Sequence, residues 1–151
     1  MNIIRELYDY MEEQGFDPYG FETKEEFLTE RIYYVFKVGN FAFMYEDDIL
    51  SVQTCYCQYF GKPSPEINED EFNQLTSMMA DYHKIGRFTF NTQPLYINLD
   101  WSMYLIDEHD FSRAKTLYVQ LEDVREKWEQ IIFDVIYNDA SFEELYMEMK
   151  E

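Results

Sequence analysis

Apolar and polar positions change their spacing several times along the chain, and each change marks an element. In NIIRELYDYMEEQG, residues 2–15, the apolar positions Ile3, Ile4, Leu7, Tyr10 and Met11 recur at helical spacing. Asn2 is placed to cap that helix and Gly15 to end it. The next stretch, FDPYGFETKEEFLTER, predicts a loop and then a short helical turn over Thr23–Arg31. Thr23 followed three residues later by Glu26 fits a capping box there.

From Arg31 the period shortens to two. RIYYVFKVGNFAFMYEDDILSVQTCYCQYF is rich in β-branched and aromatic residues, and Gly39-Asn40 and Asp47-Asp48 divide it into three strands of a meander. Ile32, Tyr34, Phe36 and Val38 share one face of the first. Val52, Thr54, Tyr56 and Phe60 share one face of the third, with Cys55, Cys57 and Tyr59 on the other.

GKPSPEINED is a loop, after which Asn68 is placed to cap a helix carrying Phe72, Leu75, Met78, Met79 and Tyr82, with Gly86 as its stop. RFTF and LYINLDWSMYLI, joined at Gln93-Pro94, form a second β unit. Its last strand points Leu95, Ile97, Leu99, Trp101, Met103 and Leu105 inward, and Asn98, Asp100 and Ser102 outward. A long helix opened by Asp110 follows, its stripe running from Ala114 through Leu117, Tyr118, Leu121, Val124, Trp128, Ile131 and Ile132 to Val135. Ser141 with Glu144 marks a short appended helix at 141–150.

No linker or repeat divides residues 1–151. The expectation is one α+β domain, with an antiparallel sheet of about five strands packed against helices.

Composition narrows the class. Of 151 residues, 46% are apolar and 19% aromatic, too many for a disordered acidic tail. No apolar run reaches the roughly 18 residues that a membrane span requires, and no basic-then-apolar leader opens the chain, so a cytoplasmic protein is expected. The net charge of −19 is unevenly placed. It is −7 over residues 1–30 and −8 over 107–151, but −1 over 31–60 and zero over 87–106. The β-rich segments are nearly neutral. Acidic faces repel phosphates and anionic membranes, so neither nucleic acid nor a membrane is an expected partner.

Candidate chemistry is sparse. Cys55 and Cys57 sit at i and i+2 of a strand and point to the same side, where free cysteines mostly pack as small apolar groups. With two cysteines and two histidines, the chain falls short of a zinc site at finger-like spacing. The run Asp107-Glu108-His109-Asp110 offers a divalent-ion site or a general acid on one reading, and a strand-to-helix turn with acids at the positive helix end on the other. The structural reading is favoured. No phosphate loop, nucleophile motif or HExxH pair is present, and no catalytic residue, metal or cofactor is predicted. The tyrosine pairs Tyr8/Tyr10 and Tyr33/Tyr34 suit a contact surface or an ordinary core equally.

The order of helix, three-stranded meander, helix, two-stranded hairpin and long helix, over residues 2–137, resembles the class I type III secretion chaperones and their YbjN-like relatives. The resemblance lies in topology, length and acidity. It implies an ATP-independent, noncatalytic protein that binds another polypeptide through apolar patches and sheet edges, and that pairs with itself. The face Phe72, Leu75, Met78, Met79 and Tyr82 is the expected partner-binding or dimer face, with burial against the sheet as its alternative. A second expectation rests on charge alone: an acidic inhibitor or immunity-type protein that neutralises a basic protein such as a nuclease. Either way the expected partner carries basic or apolar segments.

Overall fold

The computed structural model describes residues 2–56, 70, 73, 74, 77, 79, 85–92, 95–137, 144 and 147. The class is α+β, as expected. Helix α1 (Ile3–Glu13) precedes strands β1 (Tyr19–Glu25), β2 (Ile32–Val38), β3 (Phe41–Glu46) and β4 (Ile49–Tyr56). Strands β5 (Arg87–Thr92) and β6 (Leu95–Tyr104), a 3-10 turn (Glu108–Asp110) and helix α2 (Phe111–Tyr137) complete the order. The strands form one antiparallel sheet in the order β1-β2-β3-β4-β6-β5. Between β4 and β5, Asp70, Asn73, Gln74, Ser77 and Met79 are helical, as are Glu144 and Met147 in the predicted appended helix.

The chain forms two compact units: residues Met1–Thr54 with Asp100–Gln120, and Cys55–Leu99 with Leu121–Glu151. In the first, α1 forms because Ile4, Leu7 and Met11 fall on one stripe, and all three are fully buried. Asn2 caps it by accepting from Ile4 N at 3.2 Å. Gly15, at φ +91°, turns the chain so that Phe16 N donates to Met11 O and Gly15 N to Glu12 O. That pair of bonds is a Schellman ending, which needs the left-handed residue a glycine supplies.

Over residues 19–25 the structure departs from the expectation. Tyr19–Glu25 is an edge strand, not a loop leading into a helical turn, so the meander has four strands. Burial explains the error. Phe21 alone in this strand is partly covered, its ring set against Tyr8 (5.8 Å), Phe36 (6.4 Å) and Tyr34 (6.5 Å). With one inward residue, the strand shows no alternation to detect. A single helical turn does occur, at residues 26–31, where it closes the β1–β2 hairpin: Glu30 N donates to Glu26 O, and Glu26 N to Arg31 O.

The two predicted turns are in place. Val38 faces Phe41 across Gly39-Asn40, and Glu46 faces Ile49 across Asp47-Asp48. Both aspartates have positive φ, +47° and +67°, as a two-residue type I′ turn requires.

One face of this unit's sheet is aromatic and closed. Phe36 stacks on Phe43 at 4.8 Å, Tyr8 meets Phe36 edge-on, and Tyr118 of α2 packs on both Phe41 and Phe43. Phe16 closes the far side of Tyr118. Thr54, a buried polar residue, donates from Oγ1 to Asn40 O at 2.7 Å. Of the β6 residues expected inward, Leu105 is buried in this unit, but Trp101 is 41% exposed.

Among the described residues of the second unit, Met79, Ile97, Leu99, Leu121, Val124, Trp128 and Ile131 are buried. The stripe predicted on α2 is therefore buried from Ala114 through Ile131. The side chains of Ile132 and Val135 lie outside the described residues. Among the described residues, no helix is long and apolar enough to cross a membrane.

Candidate partner-binding surface

The residues singled out for chemistry serve the fold. Asp107 caps the 3-10 turn, accepting from His109 N at 2.9 Å, while Asp110 reaches back to accept from Asp107 N and from Ile106 N. This is a capping box one turn earlier than the predicted start at Asp110. Asp110 is buried, and Arg113 donates to its other oxygen. The bond from Ile106 N chiefly holds its carboxyl below the usual range, with Asp107 N and Arg113 adding to the effect against the cost of burial. His109 projects into solvent and meets Asp107 through Nδ1 at 3.1 Å. Among the described residues, no three His, Cys, Asp or Glu side chains group as a metal site would.

Cys55 is a free, half-buried thiol on the expected face of β4, with Sγ 3.5 Å from Asn98 Oδ1. Burial pushes its pKa up, against the pull of Arg125, so the thiolate is disfavoured. Cys57 lies outside the described residues.

Of the expected partner-binding face, only Met79 is described, and it is fully buried. Asp70, Asn73, Gln74 and Ser77 are exposed. Met79 is therefore on the interior side of its segment, as in the alternative reading of that face. Phe72, Leu75, Met78 and Tyr82 lie outside the described residues.

The first unit has a different surface that is open: the face of the sheet opposite the aromatic core. Register places one row across five strands. Glu22 faces Val35, Val35 faces Met44, Met44 faces Ser51, and Ser51 Oγ is 2.9 Å from Ser102 Oγ on β6. At about 4.8 Å per strand spacing the row is roughly 19 Å wide. Lys37, Ala42 and Gln53 form the row on one side, and Gln53 Nε2 donates to Met44 Sδ. On the other side lie Tyr33 and Ile49. Leu105 N donates to Asp48 O, so the same antiparallel register sets Ile49 beside Tyr104, which is 71% exposed. Tyr33, Val35, Ala42, Met44, Ser51 and Gln53 are all partly exposed.

Charge on this face is balanced locally. Lys24 pairs with Glu22 at 3.3 Å and Arg31 with Glu46 at 2.5 Å, which raises the Arg31 pKa further. Lys37 and Asp100 add one charge of each sign. Helix α1, by contrast, exposes Glu6, Asp9, Glu12 and Glu13 against Arg5 alone. The sheet's edge is less receptive than its face. β1 has a bulge between Tyr19 and Glu22, with Gly20 at φ +69°, and charges at Glu22, Lys24 and Glu25. Bulges and charges are devices that keep an edge from pairing with another strand.

In comparisons with known proteins, no family model matches this sequence, and no curated protein or solved structure matches it either.

Proposed function

We propose that this is a noncatalytic polypeptide-binding protein, chaperone-like or adaptor in type, whose contact surface is the open sheet face rather than a sheet edge. The observation that carries the reading is a charge-balanced, half-apolar face in a chain of net charge −19. Val35, Met44, Ala42, Ile49 and the two tyrosines supply apolar area without long-range repulsion of a partner. Ser51, Ser102 and Gln53 supply hydrogen-bonding groups for a partner's main chain. The resemblance in element order to secretion chaperones, from which the added strand β1 departs, supports the same reading. The capping roles of Asp107 and Asp110, and the disfavoured Cys55 thiolate, argue against chemistry at those positions.

The test is capture of a permanently unfolded chain, reduced and carbamidomethylated lysozyme, at high salt. Capture that resists salt supports the reading, and a Val35→Thr/Met44→Thr variant should weaken it by about tenfold. Capture that vanishes at high salt, with folded basic proteins bound equally well at low salt, favours the acidic-inhibitor reading instead. Self-association belongs to the same proposal. Light scattering at low and high salt should then give twice 18.5 kDa at both.

A further inference from the structure

The turn between β1 and β2 carries Phe27 and Leu28, 95% and 90% exposed, in adjacent positions. Large apolar side chains this exposed, two together at a loop tip, stand out in any folded chain. The turn that presents them is fixed by its own bonds. Glu26 N donates to Arg31 O at 2.8 Å, Glu30 N donates to Glu26 O at 2.9 Å, and Thr29 Oγ1 donates to Glu26 Oε2 at 3.0 Å. Glu30 is held at φ +54°, a conformation that a glutamate adopts rarely. The two side chains are thus carried on an ordered hairpin tip.

Three exposed carboxylates, Glu25, Glu26 and Glu30, ring that tip. Of the nearby bases, Lys24 pairs with Glu22 and Arg31 with Glu46; Arg31 also interacts with Glu26, so the collar is partly offset but keeps a net negative charge. An apolar knob with an anionic collar selects its counterpart by charge. A second copy of the tip brings three more carboxylates and is repelled, and an anionic lipid surface is repelled in the same way.

We infer that the Phe27-Leu28 tip is a docking knob for a basic protein that offers an apolar pocket rimmed by lysine or arginine. This contact is separate from the open sheet face. It gives the acidic character of the chain a local role: the collar steers the partner, and the two side chains hold it.

The experiment titrates the full chain at low salt with a synthetic peptide alternating leucine and lysine. The comparison protein is Phe27→Ser/Leu28→Ser, which leaves every charge in place, so nonspecific attraction to the peptide stays constant. An unchanged urea midpoint establishes that the variant folds. The expected result is a loss of affinity of about tenfold or more in the variant. Equal binding by wild type and the tip variant overturns the inference. So does equal binding of the glutamate counterpart of the peptide or of anionic phospholipid vesicles, or a dimer that the tip variant abolishes. Because capture by the sheet face is read at high salt and this contact at low salt, each fails without the other.

Discussion

The two faces of the sheet in the first unit are built from the same strands with opposite outcomes. Toward α1, Phe36, Phe43 and Phe41 interlock with Tyr8 and Tyr118 and exclude water. On the other side, Val35, Ala42 and Met44 alternate with them along β2 and β3 and remain half-open. Both faces are rich in apolar groups, so hydrophobicity does not separate them. What separates them is a partner layer. The closed face has two helices from its own chain, whereas the open face pairs Lys24 with Glu22 and Arg31 with Glu46 and keeps its apolar groups partly exposed. Folding energy resides in the first face, and the second is the one proposed for recognition.

Substitutions can break that contrast in order of size. Phe43→Ala removes the ring stacked between Phe36 and Tyr118, and should cost about 3–5 kcal/mol in urea unfolding. Thr54→Val deletes the buried hydroxyl that donates to Asn40 O while keeping shape, and should cost about 1 kcal/mol by the same measurement.

Acid tests the buried carboxylate that closes the 3-10 turn ahead of α2 against the exposed ones beside the open face. Asp110 has a lowered pKa in the folded state, so its stabilising contribution is complete above the unfolded value of about 3.9. That contribution declines as pH falls through the folded pKa. In urea midpoints followed from about pH 5 to pH 2, Asp110→Asn should therefore show a shallower acid loss than wild type. On the open face, Val35→Thr should change the unfolding free energy by less than about 0.5 kcal/mol. A large stability loss there would mean that the face is covered by the chain itself and is no contact surface.

The sequence was most legible where one residue type has one local job. Asn2 and Gly15 bounded α1, and Gly39-Asn40 and Asp47-Asp48 set two hairpins. The alternation in β6 placed Ile97 and Leu99 inside and Ser102 outside. β1 was not legible, because an edge strand with only Phe21 turned inward has no periodic signature, and Thr23 with Glu26 imitated a cap. Phe27 and Leu28 fall inside the stretch read as a short helical turn, and only a hairpin puts them at a tip. The interior position of Met79 could not be told from an open one by spacing, since an amphipathic helix has the same pattern whether its stripe meets a sheet or a second protein. The open face was partly visible, as neutral β segments in an acidic chain. Which apolar residues stood on it depended on register, which a single sequence does not state.

The two tryptophans fall one in each unit, Trp101 at 41% exposure in the first and Trp128 fully buried in the second. That distribution makes the chain its own two-colour thermometer. Native emission from a Trp101→Phe protein comes from a water-free indole, and from a Trp128→Phe protein out of a half-solvated one. Following each through a denaturant series shows whether the units melt together or in turn.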